Sequence, residues 1–191
     1  MKNYPSRSEA FDLLCEYNKQ DSLIRHGLAV EAVMEHFAEK AGEEREKWAV
    51  IGLCHDLDYE QYPEQHCTMT RKILEEKNWP ESYIRAIISH GWGLCSDVEP
   101  VEYLEKVLFA TDELTGLITA CVYVRPSKSM LDLTTKSVMK KWNTRAFAAG
   151  ANRDVIAQGA GMLGMKIEDL VGETILAMQK AAEKIGLKGD L

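Results

Sequence analysis

His55 and Asp56 stand side by side in the run Ile51-Gly-Leu-Cys-His-Asp-Leu-Asp-Tyr-Glu60, with His26 upstream and His66, His90 and Asp112 downstream. Neutral imidazoles and anionic carboxylates together are the donor set that holds a divalent cation. Adjacent His and Asp residues are common by chance, so the pair says little alone; the placement of its partners says more. His26 continues a row of Leu23, Val30, Met34 and Phe37, His55 follows Trp48, Ile51 and Gly52, His90 follows Tyr83 and Ile87, and Asp112 follows Leu104 and Leu108. Residues at three- and four-residue steps share one face of a helix. An imidazole or carboxylate buried on an apolar face without a partner is costly, and a shared cation removes that cost.

Each site taken singly has a plainer reading. A histidine on an apolar face is commonly a hydrogen-bonded core residue, and Asp112 could cap a helix or bond to Thr111 or Thr115. Several sites in register, with acids among the imidazoles, favour the metal. His36 lies off the His26 row, between Glu35 and Phe37, and reads as a surface histidine with no role.

The elements that must position these residues are helical throughout. Ser6 or Ser8 can cap a helix to about Tyr17, and Asp21 can cap a second that runs to about Lys40 and stops near Gly42. A third covers roughly Glu43 to Cys54 and delivers His55-Asp56 at its end, and Leu57 to Gln65 reads as an acidic loop. Further helices are predicted from about His66 to Lys77, from Pro80 to His90, and from Val101 to Tyr123 after the loop Gly91–Ser96. Arg125-Pro-Ser-Lys128 breaks the pattern, and helices over Leu131–Trp142, Arg153–Leu163 and Ile167–Ile185 complete the chain. No alternating strand pattern or repeat intervenes, so one all-α domain is expected over residues 1–191, a compact multi-helix bundle with its motif core at 21–116 and a helical extension from about 125 to 191.

With 191 residues, 46% hydrophobic and 28% charged, the chain has the composition of an ordinary globular protein. Its net charge of −7 argues against a general nucleic-acid binder and against an anionic membrane surface as partner. A small phosphorylated substrate remains compatible, because a bound metal and a few cations can invert the potential of one pocket. The N-terminal segment has no apolar signal core, no run approaches a membrane span, and the five cysteines form no CxxC pair. A reduced, cytoplasmic setting is the expectation, with the cysteines as packing residues, although Cys54 and Cys67 each adjoin a candidate ligand.

The order of an isolated His, a His-Asp pair and a distant Asp resembles the HD-domain superfamily of metal-dependent phosphohydrolases. The likeness runs from about Asp21 to Gly116 and is closest in Arg25-His-Gly-Leu-Ala-Val-Glu31 and Phe109-Ala-Thr-Asp-Glu-Leu114. It implies an HD-like helical fold and His26, His55, Asp56 and Asp112 as ligands. Its two-metal branches further imply His66 and His90 as ligands of a second ion, with a carboxylate such as Asp56 bridging the two. Those histidines could instead bind substrate phosphate. Some nucleotide-cleaving relatives have a Glu soon after His-Asp that helps to activate water. Here Asp58 and Glu60 occupy that region, each a candidate general base or a partner that orients a ligand histidine. Arg125 and Lys128 are candidate phosphate contacts, with Lys136, Lys140, Lys141 and Arg145 continuing a basic run whose plainer reading is a solvated face.

The resulting expectation is a metal-dependent phosphohydrolase acting on a small phosphate ester such as a nucleotide, with one or two divalent ions drawn from Mn, Fe, Co, Ni, Zn or Mg. An HD-fold di-iron oxygenase and a catalytically silent binding module are the alternatives.

Overall fold

The computed structural model describes residues 4–189. Residues 1–3 and 190–191 of the expected 1–191 domain span lie outside the described residues. The helices are α1 (Arg7–Tyr17), α2 (Asp21–Ala41), α3 (Arg45–Leu53), α4 (Thr68–Glu76), α5 (Glu81–Ile88), α6 (Tyr103–Tyr123), α7 (Thr135–Trp142), α8 (Arg153–Met162) and α9 (Ile167–Lys180). Short 3-10 turns cover Pro63–Gln65 and Ser89–Gly91. Among the described residues the only β pairing is an isolated bridge between Trp92 and Ser96. The bundle is all-helical. Among the described residues, no helix is long and apolar enough to cross a membrane.

α2 lies against α3, α6 and α9, and α6 packs on α8. Met34, Phe37, Ile51, Leu53, Leu108 and Leu114 are fully buried between them. α2 and α3 meet at Gly52, where a Cβ would sit 2.7 Å from Met34 Cγ and 3.1 Å from the Val30 carbonyl oxygen. A side chain there would push the helices apart. That close approach brings His26, one turn before Val30, opposite His55, just beyond Gly52.

Several boundaries differ from the sequence reading, and capping explains most of them. Ser6, not Ser8, caps α1, in a reciprocal box with Glu9. Gln20 occupies the N-cap of α2 and Asp21 is its first helical residue; Gly42 ends it in a left-handed conformation. Pro80 is the N-cap of α5, not its first helical residue. α6 begins two residues later than expected because Glu102 and Glu105 form its capping box, and α7 waits for the Thr134 cap. α9 stops at Lys180, short of Ile185. His36 is not a free surface histidine: its Nε2 meets Glu173 of α9 at 2.7 Å and its side chain is 10% exposed.

Candidate metal centre

His26 projects from the second turn of α2, and Asp112 from the middle of α6. His55 and Asp56 lie in the turn that leaves α3. His66 ends the 3-10 turn before α4, and His90 sits within the 3-10 turn that follows α5. Chain segments far apart in sequence thus bring all six side chains to one place.

His26 Nε2 and His55 Nε2 are 3.1 Å apart, and Asp112 Oδ1 lies 3.0 and 3.2 Å from them. Asp56 Oδ2 completes this group at 3.6 Å from His26 and 3.5 Å from His55. Its other oxygen, Oδ1, faces His66 Nε2 at 3.3 Å and His90 Nε2 at 3.5 Å, and those two nitrogens are again 3.1 Å apart. One carboxylate therefore stands between two imidazole pairs, and the six residues form two groups able to hold a metal ion.

The other ring nitrogens explain why these arrangements call for a cation. His55 Nδ1 donates to the Gly52 carbonyl at 2.7 Å, and His90 Nδ1 to the Ile87 carbonyl at 2.6 Å. His66 Nδ1 donates to Asp58 Oδ1 at 2.7 Å. The Thr115 hydroxyl donates to the Asp112 carbonyl at 2.7 Å, which leaves its oxygen to accept from His26 Nδ1 at 3.4 Å. With each Nδ1 carrying the proton, each Nε2 presents a lone pair. Two facing lone pairs and the adjacent carboxylate oxygens repel one another unless positive charge lies among them. A nitrogen or oxygen ligand sits about 2.0–2.2 Å from such an ion, so neighbouring ligands are separated by roughly 2.8–3.6 Å. The distances observed within each group fit that spacing.

Electrostatics agree. Burial disfavours the charged imidazole, yet Asp56 and Asp112 hold His55 well above its ordinary value. Burial also favours neutral carboxyls, but His55, with His90 and His26, holds Asp56 well below the usual carboxylate range, and His55 and His26 do the same for Asp112. At His66, burial is outweighed by the Asp58 hydrogen bond and the Asp56 charge, so its value is raised. The centre draws in positive charge, whether protons or metal ions.

The remaining candidates fall elsewhere. Asp58 is fully buried; its second oxygen accepts the Thr70 backbone N–H at 2.7 Å while its first holds His66. It touches the centre through His66. Glu60 accepts the backbone N–H groups of Lys19 and Gln20 at 2.7 and 3.0 Å, where it serves the start of α2 and not the cleft. Arg125 is engaged by Asp132 at 2.6 Å. It follows the end of α6, whose last residue lies roughly 16 Å along the helix axis from Asp112. Lys128, Lys136, Lys140, Lys141 and Arg145 are exposed, the solvated face of the plainer reading.

The centre opens into a cleft of about 430 Å³ that also exposes Tyr59, Leu94, Cys95 and Glu113. Among the described residues, no Lys or Arg lines it. Glu113 was not singled out from sequence; burial first, and then the neighbouring Asp112 charge, raise its carboxyl, which accepts the Asn152 N–H at 3.0 Å. Its only sequence signal is adjacency to Asp112. The Tyr59 ring stands edge-on to His66, with 5.3 Å between centroids. Residues 23–115 match the family model described as HD domain. No curated protein and no solved structure matches the chain.

Proposed function

We propose that this chain, which belongs to the HD-domain superfamily, is a metal-dependent phosphohydrolase that releases phosphate from a small phosphate ester, with nucleotides the first class to test. The observation that carries this reading is the Asp56 carboxylate set between two facing imidazole pairs. His26, His55, Asp112 and one Asp56 oxygen would hold one ion; His66, His90 and the other Asp56 oxygen would hold a second. The mixed donor set accepts Mn²⁺, Fe²⁺, Co²⁺, Ni²⁺, Zn²⁺ or Mg²⁺. Bound there, divalent ions would supply the chemistry of water activation and of polarising a phosphoryl oxygen at neutral pH.

Asp56, Asp112 and the Asp58 carboxylate behind His66 bring three negative charges, so a pair of divalent ions would still leave a net positive charge in the cleft. That surplus suits a phosphoryl group even though no Lys or Arg lines the cleft. Asp58 is a positioning residue that fixes the His66 tautomer. Glu113, which lines the cleft outside both ligand groups and whose carboxyl is raised by burial, would give a proton to the departing alcohol oxygen. Glu60, Arg125 and Lys128 have no part in this reading.

The test is phosphate release from nucleoside monophosphates and other phosphomonoesters over several metals. The expected result is activity abolished by chelator and restored by Mn²⁺ or Co²⁺. The absence of cationic side chains from the cleft favours one second reading, a di-iron oxygenase. Inactivity on every phosphate ester, with oxygen consumption by the iron-loaded protein that depends on another added substrate, would establish it in place of hydrolysis. Inactivity in both assays despite bound metal would leave a binding module.

A further inference from the structure

We infer that Cys67 and Cys95 are a modification site, forming a reversible intrachain disulfide beside His66 when the protein meets a hydroperoxide. Their Sγ atoms are 3.1 Å apart, about 1 Å more than a disulfide bond. Neither sulfur has a role in the hydrolytic reading. Cys95 is exposed and lines the cleft, whereas Cys67 is 3% exposed. An oxidant therefore reaches one sulfur, and the other waits within contact distance, shielded from outside thiols.

The backbone is built around this pair. The N–H groups of Leu94, Cys95 and Ser96 all donate to the Gly91 carbonyl, at 3.0, 2.9 and 3.0 Å, which folds the loop back over Gly91. A Cβ on Gly91 would lie 2.4 Å from Cys95 Sγ and 2.6 Å from Cys67 Sγ, so glycine alone leaves room for the two sulfurs to meet. Cys67 itself has φ +65°, an unfavourable conformation for a residue with a side chain. Strained backbone of this kind persists where the surrounding fold holds a side chain to a purpose.

The chemistry balances. Cys95 Sγ attacks the hydroperoxide, the O–O bond breaks, an alcohol leaves, and Cys95 becomes a sulfenic acid. Cys67 Sγ then attacks that sulfur; the S–S bond forms and the sulfenic hydroxyl departs as water with the Cys67 proton. Two thiols lose two electrons, the peroxide is reduced, and a dithiol reverses the step. Because Cys67 adjoins His66 and Gly91 adjoins His90, drawing the sulfurs together displaces one imidazole of the second pair relative to the other. The oxidised protein should then lose its second ion. This consequence rests on the two-ion reading above; disulfide formation does not.

The test treats chelated full-length protein with hydrogen peroxide and counts thiols after denaturation. The five thiols are expected to fall by two, with a Cys67–Cys95 cross-linked peptide that dithiothreitol abolishes. Cys95→Ser is expected to keep all its remaining thiols. Five surviving thiols, cross-links between chains only, or over-oxidation of Cys95 without the cross-link would overturn the inference. So would a zinc ion that the protein holds on both sulfurs before chelation and that thiol reagents release. Mn²⁺ titration of the oxidised protein is expected to end at one ion where the reduced protein takes two. An unchanged count there, with the disulfide present, would overturn only the coupling to the metal centre.

Discussion

Replacing Asp58 with Asn removes no atom from the ligand groups and almost no volume, yet it should disable one ion of the pair. Both Asp58 oxygens accept hydrogen bonds, one from His66 Nδ1 and one from the Thr70 backbone, each at 2.7 Å. Asn offers one acceptor and one donor. The Thr70 N–H cannot change its polarity, so the amide oxygen must turn to it and the amide NH₂ must face His66. That reverses the histidine tautomer: Nδ1 accepts and Nε2 carries the proton, aimed at Asp56 and His90. A protonated Nε2 is no ligand. Loss of such an orienting partner lowers metal affinity by roughly 10–100-fold, about 1.4–2.7 kcal/mol. The hydrogen bond to His66 survives but loses its charge assistance, about 1–1.5 kcal/mol to the fold, a melting-temperature drop on the order of 2–6 °C for a chain of this size. Calorimetric Mn²⁺ titration should show the first ion bound as in the parent and the second weakened by that factor. Equal weakening of both ions, or no change in either, would refute the assignment of Asp58 to His66 alone.

Asp56→Ala should cost more, because its carboxylate faces both imidazole pairs; loss of both ions, beyond the ~100-fold of an outer partner, with helix content retained by circular dichroism, is the expected result. Glu60→Gln should lower the melting temperature slightly through the start of α2 while metal content by elemental analysis stays that of the parent. In chelator, the raised imidazoles of His55 and His66 contribute stability that is complete below their ordinary value of 6.5 and lost as pH rises through their folded-state values. The depressed Asp56 and Asp112 contribute stability above 3.8 that is lost as pH falls through theirs. Thermal melts of the metal-free protein should therefore decline above neutrality while the metal-loaded protein holds, and parallel curves would contradict this.

Helix periodicity made the bundle legible, because buried stripes such as Leu104, Leu108 and Asp112 follow from local spacing. Helix ends were less so, since they depend on which side chain closes the cap: Thr134 and the Glu102–Glu105 pair delay α7 and α6. That these histidines and aspartates share buried faces could be read from their register, but not the orientation of each ring, which hangs on Gly52, Ile87, Asp58 and Thr115. His36 looked exposed because its partner Glu173 is far along the chain on α9. Glu60 looked poised beside the His-Asp pair, but the fold turns it to the start of α2. Arg125 looked available for phosphate until Asp132, seven residues on, claimed it. Such pairings depend on tertiary direction, which spacing alone does not encode.

In the proposed function, Asp56 bridges two metal ions. Crystals soaked in Mn²⁺ and measured for anomalous scattering test it directly. Two peaks are expected, one on each side of the Asp56 carboxylate, the first among His26, His55 and Asp112 and the second beside His66 and His90. A single peak at saturating Mn²⁺, or a second peak away from Asp56, would contradict it.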